Sequence, residues 1–142
     1  MISFDVVSLF TNVPLEKTID LILRKVYDEK LIKTMINRYQ LKSLLLLCTK
    51  HVHFTFNDQI YQQCDGVAMG SPLGPLFANI YMCELENKII PQLNNYMNNW
   101  TRYVDDTLAF IKPDKINEVK QLLNSFDNKI QFMHELEKEN EI

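Results

Sequence analysis

Three aspartates in this 142-residue chain sit where an acid needs a reason. Asp5 lies inside the apolar run ISFDVV, and Asp105 and Asp106 stand together in RYVDDTLAF. A carboxylate among apolar strand residues is costly unless it is paired or bound to metal. Adjacent acids repel one another, so a third acid beside them favours a bound cation. Magnesium takes oxygen ligands and combines a few carboxylates with substrate phosphates. Two such ions about 3.5–4 Å apart stabilise the attacking and leaving oxygens of an in-line phosphoryl transfer. Asp-Asp is also common turn chemistry. Spacing alone does not bring Asp5 to Asp105, 100 residues away.

A second feature lies between them. All three glycines, Gly66, Gly70 and Gly74, fall in one nine-residue stretch that includes Pro72 and is followed directly by Pro75. Glycine permits positive φ and close backbone approach, so the stretch reads as a shaped loop that a ligand can touch. Ser71 offers a helix N-cap and Pro72 a first helical position. The loop also reads as a helix lead-in with tight packing.

These residues need elements to hold them. Ile2 to Val7 is strand-like, and alternation sets Ile2, Phe4 and Val6 against Ser3, Asp5 and Val7. Asn12 and Pro14 start a helix with Leu15, Thr18, Ile19, Ile22, Leu23 and Val26 on one stripe. A second helix is expected from about Leu31 to Cys48. Its residues Ile32, Met35, Ile36 and Tyr39, with the leucines after them, are assigned to the core. Residues 51–63 read as a hairpin turning at Asn57-Asp58. A helix follows the glycine loop, and NNYMNNW reads as a polar link. A second hairpin, Arg102 to Ile111, centres on Asp105-Asp106. Pro113 opens a helix, and Lys129 to His134 forms a last strand. The order predicts an α+β fold, an antiparallel sheet with helices on one face.

Bulk properties bound the class. No run of about 18 apolar residues suggests a membrane span, and the N-terminus lacks the basic region of a signal peptide. Cys48, Cys64 and Cys83 form no CxxC pair and no zinc spacing with His51, His53 or His134, which reads as reduced intracellular thiols. The net charge of −3 is unlike the basic footprint of most nucleic-acid proteins. The tail 135–142, ELEKENEI, carries that excess, and the remainder is balanced. Charge decides nothing here.

The motifs carry a resemblance that does. FDVVSLFTNVP resembles motif A of the reverse transcriptases, GVAMGSPLGPLFANIYM motif B, and RYVDDTLAF motif C, in the family's order. An aromatic-x-Asp-Asp box alone is weak, but three motifs in order are specific. FTNVP, the AMGSPLGP form of motif B and the closing IQFMHELEKEN most resemble Penelope-like retroelements. The resemblance implies a polymerase palm, a ferredoxin-like antiparallel sheet with helices on one face, plus part of the fingers. Residues 1–142 would be one partial reverse transcriptase domain, with fingers helices and hairpin inserted at about 12–63 and no second domain.

The implied activity is RNA-directed DNA polymerisation with two Mg²⁺, Mn²⁺ being an alternative. The implied partners are an RNA template, a DNA primer and a deoxynucleoside triphosphate, with no membrane. Asp5 and Asp105 would share the metals, supported by Asp106 and by the Val6 carbonyl. Ser8 and Leu9 would offer amides to the triphosphate. Phe10 would be the aromatic gate against a ribose 2′-hydroxyl. Met69 stands where many relatives have glutamine, and Gly70 would allow close approach of the nucleotide. Tyr103 and Gly74 are assigned to the primer and template. Lys129 is a candidate proton donor to pyrophosphate. An intracellular setting follows, with the nucleus fitting a retroelement enzyme. The basic fingers segment, the thumb and any endonuclease lie outside these motifs, so an incomplete domain with weak or no activity alone is expected. The competing reading is a degenerate, inactive retroelement fragment that at most binds nucleic acid. A carboxylate nuclease would have no use for the gate, and a purely structural module leaves Asp5 unexplained.

Overall fold

The computed structural model describes residues 1–50 and 52–136. His51 and most of the acidic tail, 137–142, lie outside the described residues. The fold is α+β. Two compact units divide the chain, one formed by Met1–Leu9 with Met82–Ile142 and the other by Phe10–Tyr81.

In the first unit, β1 (Ile2–Val6), β4 (Met97–Tyr103), β5 (Asp106–Ile111) and β6 (Phe132–Leu136) form one sheet in the order β4-β5-β1-β6. Every neighbouring pair is antiparallel. The strand containing Asp5 is therefore internal, and its alternation is as expected: Ile2, Phe4 and Val6 are buried, while Ser3 and Asp5 face the other side. Phe4 is the centre of the inner face, with ring centroids 6.1 Å from Trp100, 6.4 Å from Phe132 and 6.1 Å from His134. On that side α5 (Ile116–Ser125) buries Val119 and Leu123. Helix α4 (Leu73–Leu93) buries Met82, Leu85, Ile89 and Leu93 from its second half. The outer face carries Asp106, Leu108, Phe110, Met133 and Glu135, all exposed.

Two elements of this unit differ from expectation. The NNYMNNW segment is largely strand. Asn99 takes φ 57° at a bulge between Asn98 and Trp100, and the displaced residue lets Met97 and Trp100 both turn inward. The last strand starts at Phe132 rather than Lys129, because Asp127 Oδ1 accepts from Lys129 N (3.0 Å) and its carbonyl from Ile130 N, holding 127–130 in a turn. Asn124 Oδ1 then receives the Phe132 N–H at 2.7 Å.

Thr107 is 3% exposed, and its Oγ1 has no hydrogen-bond partner. Burying an unpaired hydroxyl costs about 1–3 kcal/mol, and valine has the same outline without it. Thr107→Val should raise the urea midpoint by the equivalent of about 1 kcal/mol. A lowered midpoint would mean that the hydroxyl is held by a partner after all.

Helix α1 (Leu9–Asn12) has its first residue in the first unit and the rest in the second, where α2 (Leu15–Leu23) buries Leu15, Thr18, Ile19 and Leu23 as its stripe predicts. Pro14 is its N-cap, not its first helical residue. A π-helical turn, Arg24–Asp28, ends it. The expected helix from Leu31 is shorter: α3 spans Arg38–Lys50. Asn37 and Gln40 form the start signal, Asn37 Oδ1 accepting from Gln40 N (2.9 Å) and Gln40 Oε1 from Asn37 N (3.1 Å). That reciprocal capping box fixes the boundary three residues before the first full turn ends. The core assignment is corrected as well. Ile32, Met35, Tyr39 and Leu47 are 64, 106, 80 and 66% exposed, and α3 buries only Thr49. The hairpin β2 (His53–Phe56) and β3 (Gln59–Gln62) turns at Asn57 and Asp58, both with positive φ. That pair is the mirror-image turn that suits strand twist. Among the described residues no helix is long and apolar enough to cross a membrane.

Candidate active site

The carboxylates meet at one end of the first unit's sheet. Ser3 pairs with Leu108 and Phe4 with Thr107, so the same register carries Asp5 toward Asp106. Tyr103 pairs with Asp106, which closes the β4–β5 hairpin with Val104 and Asp105 as a two-residue turn. The turn is thus one residue earlier than expected: Asp105 is at its tip, and Asp106 is the first residue of β5. Val104 takes φ 59°. A β-branched residue there is a true outlier, and such strain costs of order 1–3 kcal/mol.

Asp5 and Asp106 line a cleft of about 260 Å³ with Ser3, Met133, His134 and Glu135. Burial holds the Asp5 carboxyl above the ordinary carboxylate range; Asp105, Asp106 and then Glu135 add to this, while the Val6 N–H opposes it. None of the ion pairs among the described residues involves Asp5, Asp105 or Asp106. Uncompensated negative charge converging on a half-buried acid is the electrostatic setting of a cation site. Among the described residues no three His, Cys, Asp or Glu side chains enclose an ion by themselves. The donor set fits magnesium, which takes one or two carboxylates and completes its shell with phosphate and water oxygens. Glu135 was not singled out in the sequence, where it opens the acidic tail. Alternation from the buried Phe132 through Met133 is the signal that puts it on the carboxylate face.

The other assigned residues fall in both units. In the first, Val6 ends β1 with its side chain buried, leaving its carbonyl as the group it offers. Ser8 follows with φ 48°, and Leu9 begins a helical turn. Tyr103, 80% exposed, stands beside the Val104 turn. Lys129 is exposed in the turn before β6. That turn is at the carboxylate end of the sheet, because Val7 N donates to Gln131 O at 2.9 Å.

In the second unit the glycine loop is built against Phe10. Val67 N donates to Phe10 O at 2.7 Å. A Cβ on Gly66 would lie 2.5 Å from Thr11 O and 2.8 Å from Phe10 O, and one on Gly74 would lie 2.9 Å from Ala68 O and 3.8 Å from the Phe10 ring. Asp65 Oδ1 accepts from both Gly66 N (2.9 Å) and Leu15 N (3.2 Å), tying the loop to the start of α2. Met69 is exposed, and Gly70 has φ 89° with nothing within 4 Å of a Cβ. Ser71 Oγ accepts from Leu73 N at 3.3 Å, as the N-cap reading expects.

A palm-like antiparallel sheet with acids at the turn of its β4–β5 hairpin and on the internal strand β1 defines the class. The family model described as reverse transcriptase (RNA-dependent DNA polymerase) matches residues 1–138, and the chain belongs to that family. Among solved structures, an apo telomerase from Candida tropicalis, truncated from its C-terminal domain, is similar with a TM-score of 0.66 and 15% identity. The match covers 97% of this chain and 31% of that one, so the chain spans about a third of the telomerase's length. Likeness at that identity is likeness of fold. No curated protein matches the sequence.

Proposed function

We propose that this chain is the palm and part of the fingers of a retroelement RNA-directed DNA polymerase, of Penelope-like type, acting by two-metal nucleotidyl transfer. The observation that carries the reading is that Asp5, Asp106 and Glu135 line one cleft beside the turn that holds Asp105, with no ion pair to the three aspartates among the described residues. Family membership supports the reaction class, and the resemblance of FTNVP, AMGSPLGP and the closing IQFMHELEKEN to Penelope-like retroelements supports the subtype. Residues 1–142 are read as one partial domain with its fingers part inserted at about 12–63.

The magnesium ions, when bound, would supply charge neutralisation for the attacking and leaving oxygens. Asp5 and Asp105 would hold them, with Asp106 and the Val6 carbonyl in support. Ser8 and Leu9 would orient the triphosphate of the incoming deoxynucleotide. Met69, Gly70 and Gly74 would border the base and template, and Tyr103 the primer end. Lys129 would return a proton to pyrophosphate. Catalysis of this kind is mostly positioning and electrostatics. An RNA template and a DNA primer meet such an enzyme inside the cell, and the nucleus suits a retroelement.

Primer extension on an RNA template with Mg²⁺, using the chain extended through its flanking sequence, tests the reading. Incorporation that survives unchanged in Asp105→Asn would sink it. Phe10→Ala should raise ribonucleotide incorporation about 10-fold or more relative to deoxynucleotide, since a steric clash is worth at least about 1.4 kcal/mol. An unchanged sugar preference would remove Phe10 from the gate.

A further inference from the structure

We infer that Arg102, held by Glu86, is the positioning residue for Asp105. The inference rests on reading Asp105 as a metal ligand. Arg102 alternates with exposed neighbours on β4 and turns to the inner face, where its side chain is 9% exposed. Its Nε donates to Glu86 Oε1 at 2.6 Å and its Nη2 to Glu86 Oε2 at 3.1 Å, a two-pronged pair with α4. Trp100 Nε1 donates to the same Glu86 Oε1 at 2.9 Å. A strand-to-helix staple would be complete with these contacts.

The guanidinium goes further. Its Nη1 donates to the Val104 carbonyl at 3.0 Å. That carbonyl belongs to the peptide joining Val104 to Asp105, and Val104 is the residue with φ 59°. Fixing this peptide plane fixes the backbone from which the Asp105 side chain springs. A valine at positive φ would otherwise relax toward an ordinary conformation and swing Asp105 with it. The charge of Arg102 is paired with Glu86, with neither Asp105 nor Asp106 among its main influences. Arg102 therefore acts through geometry. Lysine has no planar fork and cannot bond Glu86 twice while reaching Val104.

The test measures Mn²⁺ affinity of the 142-residue chain by electron paramagnetic resonance, with Asp105→Asn as the non-binding control. Arg102→Lys should weaken Mn²⁺ binding about 10–100-fold, the range for losing a group that orients a ligand, while thermal unfolding stays cooperative. Adding Val104→Gly should restore most of the affinity, because glycine takes positive φ without a hold. A role in stability alone gives no such rescue. Unchanged affinity in Arg102→Lys overturns the inference, as does a double variant no better than Arg102→Lys. If Arg102→Lys does not fold, Glu86→Gln is read the same way: weaker binding supports the clamp, and wild-type affinity overturns it. A wild-type chain that binds no Mn²⁺ removes the metal site itself and this inference with it, a failure distinct from the others.

Discussion

Asp5→Asn is expected to stabilise the metal-free protein at neutral pH while reducing nucleotide incorporation by about 10³-fold or more. Burial and the charges of Asp105, Asp106 and Glu135 all penalise the ionised form of Asp5, so its folded pKa lies above the ordinary 3.8. The folded state then binds more protons than the unfolded state between those two values. Stability contributed by the protonated acid is complete below about 3.8 and is lost as pH rises through the folded pKa. At pH 7 the wild-type chain bears the full penalty, and asparagine, with nearly the same shape and no charge, escapes it. The gain should be about 0.5–2 kcal/mol, the usual scale for relieving a group kept for function. It should shrink toward zero as the buffer is taken down to about pH 3. Urea denaturation in a chelating buffer across pH 3–8 measures it. An asparagine variant no more stable than wild type at pH 7 would contradict this account of the acids. Added Mg²⁺ should reverse the order, because a ligand of the folded state stabilises wild type by about 2.7 kcal/mol at 100 times its Kd. Activity falls because a neutral amide neither holds the ion nor neutralises the charge that develops in transfer.

The same acids show what could be read in advance. Strand alternation around Asp5 was legible because one face of β1 is wholly apolar, and a one-residue slip would have buried the acid. The glycine loop and the mirror-image turn at Asn57-Asp58 were legible because positive φ leaves a mark in composition. The helix from Leu31 was not. Its apolar residues have helical spacing but face solvent, and the true start is written in the polar pair Asn37 and Gln40. Burial is a property of tertiary contacts, so a hydrophobic stripe predicts it only where another surface arrives. The Val104 turn was missed by one residue because Asp-Asp suits a turn locally, whereas the register of β4 with β5 is set by pairing along the whole hairpin. Glu135 was hidden for a similar reason: its neighbour across the sheet, not its neighbour in sequence, gives it a role. Motif resemblance named the trio, and topology explains how Asp5 and Asp106, 101 residues apart, come to share a cleft.

Gly66→Ala should be the most damaging of the three glycine substitutions, losing about 2–5 kcal/mol of stability and most of the sugar discrimination. Gly66 has φ 76°, and its added Cβ would stand 2.5 Å from Thr11 O, 2.7 Å from Thr11 C and 2.8 Å from Phe10 O. All three atoms are backbone, so no flexible side chain can yield. Relief requires the loop to move away from α1, which breaks the 2.7 Å bond from Val67 N to Phe10 O. Overpacking and a disfavoured φ therefore act together, each being among the few mechanisms that give large effects. The displaced partner is the backbone of Phe10 itself, so the gate proposed there should shift with the loop. Gly70→Ala is the control for φ alone. Its φ is 89° but a Cβ meets nothing within 4 Å, so it should cost about 1–2 kcal/mol and leave discrimination intact. Gly74→Ala falls between, with ordinary φ and a single 2.9 Å encounter with Ala68 O. Urea midpoints and ribonucleotide-to-deoxynucleotide incorporation ratios for the three variants give the order. If Gly66→Ala behaves like Gly70→Ala in both measurements, the loop does not position Phe10.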